Sequence, residues 1–199
     1  MKVLKEMSRP KKTCLYIVLT IFLAVFLLKS SGYYRTPEAV FRACEKGEYL
    51  PAAEKIESFP YEEDRVMMLG SSAYGVFVST AKKEYGLWKN TGSYLEYADE
   101  RYPIRFFYEP KVGILYGTTW VEGASQIYFE ARYSEVYEKD LTGTVPLDGN
   151  NCFFAEAAPY EHPKEAMADV EKGGGGFYVE LLNEEGTVIW KTDETTHWR

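Results

Sequence analysis

The pattern of hydrophobic and polar positions changes character twice along this chain. From Cys14 to Leu28 the run "CLYIVLTIFLAVFLL" carries no charge, and Thr20 is its only strongly polar residue. A helix satisfies its own backbone hydrogen bonds in hydrocarbon, so such a run predicts a membrane span. A bilayer core wants about 20 apolar residues. Thr13 and the stems of Lys12 and Lys29 extend the run toward that length. Two readings compete with a span, a cleaved signal peptide and a buried core helix. Lys29, Ser30, Ser31 and Gly32 make a poor cleavage site. No other segment could cover the run on all sides. Lys2, Lys5, Arg9, Lys11 and Lys12 precede it against one acid, Glu6, which favours a cytoplasmic amino terminus.

The period then becomes helical. In "TPEAVFRACEKGEYL", Thr36 suits an N-cap, Pro37 the first helical position and Glu38 the positive end of the dipole. Val40, Phe41 and Cys44 form one face, which predicts a helix over 37–46 with Gly47 as its stop. "LPAAEKIESFP" predicts a further short helical turn before Pro60.

Beyond this the period drops to two. "AYGVFVST" and "EYGLWK" predict a hairpin joined at Ala81–Lys83. "VGILYGTTWV" places Val112, Ile114, Tyr116, Thr118 and Trp120 on one side. In "SQIYFEARYSEVY", Ile127, Phe129, Ala131 and Tyr133 alternate with Glu130, Arg132 and Ser134. Gly123 between these runs predicts a second hairpin of half-buried strands. "HPKEAMADVEK" predicts a short helix with Ala166, Met167 and Val170 inward, stopped by the glycines at 173–176. "FYVELLNEEGTVIW" predicts a last hairpin turning at Gly186.

The expected fold class is α+β: an N-terminal transmembrane helix, then one extracytoplasmic domain of antiparallel sheet with short flanking helices. Residues 1–12 form a basic cytoplasmic tail, 13–29 a transmembrane signal anchor, 30–35 a short linker and 36–199 the domain. The overall look is of a small bacterial single-pass cell-membrane protein, and no motif resembles a named family.

Charge narrows the partners. Six of the 23 basic residues and one of the 30 acidic ones lie in the segment through Lys29. That leaves 17 basic and 29 acidic residues, a net charge of −12 on the external part. Nucleic acid is excluded as a partner, because its binding rests on Lys and Arg at phosphates.

Candidate chemistry is sparse. The glycines at 173–176 follow a helix and precede a strand, the reverse of a phosphate cradle. Glu161, His162 and Glu165 offer a metal half-site, yet zinc needs three or four ligands and His197 is the only other histidine. Cys44 and Cys152 would need a histidine to act as nucleophiles. Under this topology they could instead form a disulfide, or both serve as small buried hydrophobes. Glu62, Glu63 and Asp64, with Asp99 and Glu100, are acid clusters that could supply a carboxylate pair for glycoside hydrolysis. Almost any acidic domain contains such pairs, so no residue is assigned a catalytic, cofactor-binding or metal-binding role. No cofactor is expected.

Aromatic content stands out: 17 tyrosines, 11 phenylalanines and four tryptophans. Tyrosine suits interfaces, but aromatics also fill sheet cores. Tyr74, Tyr85, Tyr128 and Tyr178 could emerge on one face as a binding surface. The leading expectation is a non-catalytic module held in the lipid bilayer through residues 13–29, binding a protein, peptide or envelope partner. The alternative is an extracytoplasmic hydrolase that works through carboxylates.

Overall fold

The computed structural model describes residues 9–109, 111–132, 141–156 and 176–192. Its first element is α1 (Arg9–Ser30), within which Pro10–Leu28 is long and apolar enough to cross a membrane. At about 1.5 Å per residue, its 19 residues reach about the thickness of the hydrocarbon layer. None of the stretch is buried inside the protein. The core-helix reading therefore fails, and an apolar surface of this extent is unusual on a soluble monomer.

Among the described residues, three sheets and one short helix follow. β1 (Tyr33–Tyr34) pairs with β5 (Leu87–Tyr97), Tyr33 opposite Lys89 and Tyr34 opposite Trp88. Two residues of the expected linker thus belong to the folded domain, where they cover part of the open edge of β5. α2 (Pro37–Gly47) starts as its sequence predicts, with the Thr36 side chain accepting the Ala39 N–H at 3.2 Å. Val40 and Phe41 are fully buried and Cys44 lies half-buried beside them.

The first sheet has the order β1-β5-β4-β3-β2, built from β2 (Lys55–Glu62), β3 (Arg65–Ser72), β4 (Gly75–Glu84) and β5 (Leu87–Tyr97). Two expectations are corrected here. The helical turn expected in "LPAAEKIESFP" gives way to β2, because pairing with β3 satisfies its backbone. Its side chains also divide between two cores, Ile56 to one and Phe59 and Tyr61 to the other. An edge strand tolerates Pro60. The β4–β5 hairpin exists, but β4 runs through Ala81–Lys83 and turns at Tyr85–Gly86, with Glu84 paired to Leu87.

The second sheet has the order β10-β7-β6, from β6 (Ile104–Glu109), β7 (Ile114–Thr119) and β10 (Cys152–Glu156). The third has the order β12-β11-β8-β9, from β8 (Gln126–Arg132), β9 (Leu141–Pro146), β11 (Gly176–Leu182) and β12 (Val188–Lys191). The hairpin expected across Gly123 does not form, since β7 and β8 lie in different sheets. Val121 and Ala124 pack into the core between those sheets, so the connection carries the chain from one layer to the next. Nor is β7 half-buried: every residue from Ile114 to Thr119 is buried. The expected alternation does hold in β8, where Ile127 and Phe129 face the core. The last hairpin forms as expected, β11 with β12, and Gly186 takes a φ of 76°.

The layers stack as α2, first sheet, second sheet, third sheet. Val40 and Phe41 pack on Val66, Met68 and Phe77. From the other face of the same strands, Met67, Leu69, Val76 and Val78 meet Ile114 and Tyr116. Leu115 and Phe153 then look the other way, onto Ile127, Val179 and Leu181. The domain is mostly antiparallel β, and among the described residues its flanking helices reduce to α2. The helix expected within 162–171 lies outside the described residues, as do Tyr133, Ser134 and the glycines at 173–175.

Candidate functional site

β4 spans the first sheet from Gly75 to Glu84, about 30 Å at 3.4 Å per residue. Its Glu84 end adjoins β1, and through it α1. Its Gly75 end is the far end, and four large aromatics emerge there. Tyr74 is 56% exposed, Tyr97 58%, Tyr102 53% and Trp120 44%.

Backbone pairing holds these residues together. Gly75 pairs with Tyr97, and Ala98 N–H donates to the Tyr74 carbonyl at 3.0 Å. Tyr102 N–H donates to the Asp99 carbonyl at 2.9 Å, and Trp120 N–H to the Pro103 carbonyl at 3.2 Å. Thr119 Oγ1 also donates to Pro103, at 2.7 Å, fixing the exit of β7 against the loop between β5 and β6. On the other side, Thr119 N–H donates to the carbonyl of Asn151, so the 148–151 turn borders Trp120. In that turn, Asp148 Oδ1 accepts from the N–H groups of Asn150 and Cys152, both at 2.9 Å. Asp148 Oδ2 and Asn150 Nδ2 are buried without a hydrogen-bond partner.

The charges at this end are organised by two arginines. Arg101 grips Asp99 through Nε and Nη2, the closer contact at 2.7 Å, and its guanidinium lies 5.9 Å from the Tyr102 ring. These hydrogen bonds hold the Asp99 carboxyl low, at about 2, so it is ionised near neutral pH. Arg105 donates to the Tyr97 carbonyl at 3.3 Å and reaches Glu96 at 3.4 Å. Burial raises the Glu96 carboxyl, and Arg105 opposes that shift. Below this rim, Tyr94 and Tyr116 share a hydroxyl–hydroxyl hydrogen bond of 2.7 Å across the first and second sheets. Burial raises both phenols.

The residues singled out from sequence are scattered. Tyr74 belongs to the far end, but Tyr85 sits at the opposite end of β4, on the β4–β5 turn. Tyr128 and Tyr178 are half-buried in the third sheet. Those two share one face of the third sheet, diagonally across β8 and β11, but the four tyrosines do not share a face. Tyr97, Tyr102 and Trp120 were missed. The signal for the two tyrosines is "EYADERYP", a turn-rich stretch that holds both; exposed loops of this kind often carry function, and no local signal marks Trp120.

The acid clusters also separate. Glu62, Glu63 and Asp64 form the β2–β3 turn near the α1 end, and Asp99 and Glu100 lie at the far end. Glu62 pairs with Arg65 at 2.9 Å and Asp64 with Lys82 at 3.7 Å. Cys44 and Cys152 are both free thiols, one on the α2 side of the first sheet and one beyond its opposite face. With layers about 10 Å apart, no disulfide can join them. Burial pushes the Cys152 thiol up to about 12, which makes it inert as a nucleophile. Glu161, His162, Glu165 and His197 lie outside the described residues. Among the described residues, no group of three or more His, Cys, Asp or Glu side chains could hold a metal ion.

One cavity of about 180 Å³ opens between the first two sheets, lined in part by Tyr61, Thr80, Tyr94, Glu109 and Lys111. It is smaller than the roughly 300–1,000 Å³ typical of ligand sites, and among the described residues Glu109 is the only carboxylate that lines it. No family model matches the chain, and neither does any curated protein or solved structure.

Proposed function

We propose that the chain is a membrane-anchored, extracytoplasmic, non-catalytic binding module, held in the lipid bilayer through residues 13–29. Its far aromatic end would face a protein, peptide or envelope partner. The observation that carries this reading is the gathering of Tyr74, Tyr97, Tyr102 and Trp120 at the end of the first sheet opposite α1. Aromatics with an arginine beside them are the residues that dominate binding energy at interfaces. Here they stand on paired strands and hydrogen-bonded turns, so little ordering is left for binding to impose. The basic flank before α1 supports a cytoplasmic amino terminus.

A second reading, a hydrolase working through carboxylates, has one observation in its favour. Glu96 and Asp99 share the aromatic end, and their pKa values move in opposite directions. Against it, each carboxylate is already engaged by an arginine.

The test is site-specific photocrosslinking in native membranes. A photoreactive residue in place of Tyr102 should give a discrete adduct, whereas one in place of Glu185, on the exposed turn of the third sheet, should not. The Tyr102 adduct should fall by about tenfold or more when Tyr97→Ser and Trp120→Ser are combined, the loss of two hot-spot side chains. Equal labelling from both positions, or an adduct indifferent to the two substitutions, would refute the assignment.

A further inference from the structure

We infer that the β4–β5 turn is a second membrane contact, seated in the headgroup layer of the bilayer that holds α1; this rests on the anchor reading of α1. Tyr85 is 97% exposed at φ 52°, and Gly86 follows at φ 80°. Two successive left-handed residues are what a two-residue type I′ turn requires, and Asn-Gly or Asp-Gly normally supplies them. A tyrosine in that region is disfavoured by contact between its Cβ and the backbone. Here it gains no packing in return. Neither the turn nor the core therefore accounts for an aromatic at position 85, and an interfacial partner does.

Chain continuity says which partner. Five residues take the chain from Leu28 to Tyr33, a reach of at most about 18 Å. Tyr33 pairs with Lys89, and its hydroxyl donates to the Glu84 carboxylate at 3.0 Å, one residue from Tyr85. β1 runs toward the turn, since Tyr34 faces Trp88. The first folded residues after the span therefore lie beside this turn.

The chemistry fits a bilayer interface. Tyrosine and tryptophan place an apolar ring and a polar tip at the level of the headgroups. Lys83 Nζ lies 5.9 Å from the centre of the Trp88 ring and Lys89 Nζ 5.3 Å from that of Tyr33, so two ammonium groups stand over aromatic rings at this end, a pairing of cation and ring suited to the headgroup level. The same end carries Glu62, Glu63 and Asp64 with Arg65 and Lys82. Its charge is nearly balanced, so a zwitterionic headgroup layer suffices and anionic lipid is not needed.

Tyr74 is the internal control, an exposed hairpin-turn tyrosine at the other end of β4. The full chain is placed in phosphatidylcholine vesicles containing a lipid with a nitroxide on its headgroup. An environment-sensitive fluorescent amino acid replaces Tyr85 or, separately, Tyr74. Nitroxide quenching should be roughly threefold or more stronger at 85 than at 74, and aqueous iodide should show the reverse order, as an interfacial side chain requires. Equal quenching at the two positions in vesicles that carry the protein on flotation would overturn the contact and leave the anchor standing. A chain that fails to float removes the anchor, and the contact with it. Tyr85→Asn should melt no lower than the native chain, because asparagine accepts the left-handed turn. A lower melting temperature would assign Tyr85 to folding and overturn the inference.

Discussion

Gly117→Ala is expected to lower the melting temperature of the domain sharply. Gly117 lies in the middle strand of the second sheet, opposite Phe106 on β6 and Phe153 on β10. A Cβ at this position would stand 2.1 Å from the Arg105 carbonyl oxygen and 2.8 Å from the Phe106 Cα. Both obstacles are backbone, and neither can swing aside as a side chain does. Relief requires β6 to part from β7, which loses ladder hydrogen bonds and opens packing toward the first and third sheets together. Overpacking usually costs about 1–3 kcal/mol, and the rigid obstacle places this case at about 3 kcal/mol or above. For a domain of this size that lowers the melting temperature by roughly 6–12 °C. Gly149→Ala is the control, because a Cβ there meets nothing within 4 Å. Its melting temperature in the full chain in mild detergent should be unchanged. Similar melts for the two variants would show that the second sheet does not pack as described.

The other large effect lies under α2. Phe41 is fully buried, with its ring 5.2 Å from that of Phe77 in an edge-to-face contact. Its ring tip rests where a Gly70 Cβ would be, 2.3 Å from Phe41 Cζ. Phe41→Ala should therefore cost about 3–5 kcal/mol, the range for truncating a buried aromatic. Gly70→Ala alone should also destabilise, since its methyl group collides with the ring. Combined, the two should be less damaging than the sum, because the methyl group enters space the ring has left. Denaturant melts of both single variants and the double should give a favourable coupling of about 1 kcal/mol or more. Strict additivity would mean that α2 does not sit over β3 as found.

Local signals made parts of this fold legible. Thr36, Pro37 and Glu38 announced α2, and its buried face followed from Val40 and Phe41 at helical spacing. Gly186 marked the last turn, and the alternation of Ile127 and Phe129 marked β8. What failed were inferences about which strand lies beside which. β7 and β8 are consecutive, alternating and joined through a glycine, which resembles a hairpin locally. Only the burial of Val121 and Ala124 between two sheets reveals a crossing between layers. β2 was hidden because Ala52, Ala53 and Glu54 suit a helix, whereas the partner that stabilises the strand is β3. The aromatic end was illegible for a similar reason. Tyr74, Tyr97, Tyr102 and Trp120 come from three connections, and non-local pairing alone brings them to one end. Tyr85 is visible in the sequence, but the local pattern sets the turn at Ala81–Lys83, which hides its left-handed backbone.

The anchored topology is the premise for everything proposed about the two ends of the first sheet. It is tested most directly by protease treatment of intact cells stripped of any outer barrier, followed by alkaline carbonate washing of their membranes. Residues after Ser31 should be digested without lysis. In untreated cells the full chain should stay in the membrane pellet, with peptides from before Lys29 present in its mass spectrum. A domain protected until lysis, or a soluble product beginning near Tyr33, would contradict the anchored, outward-facing arrangement.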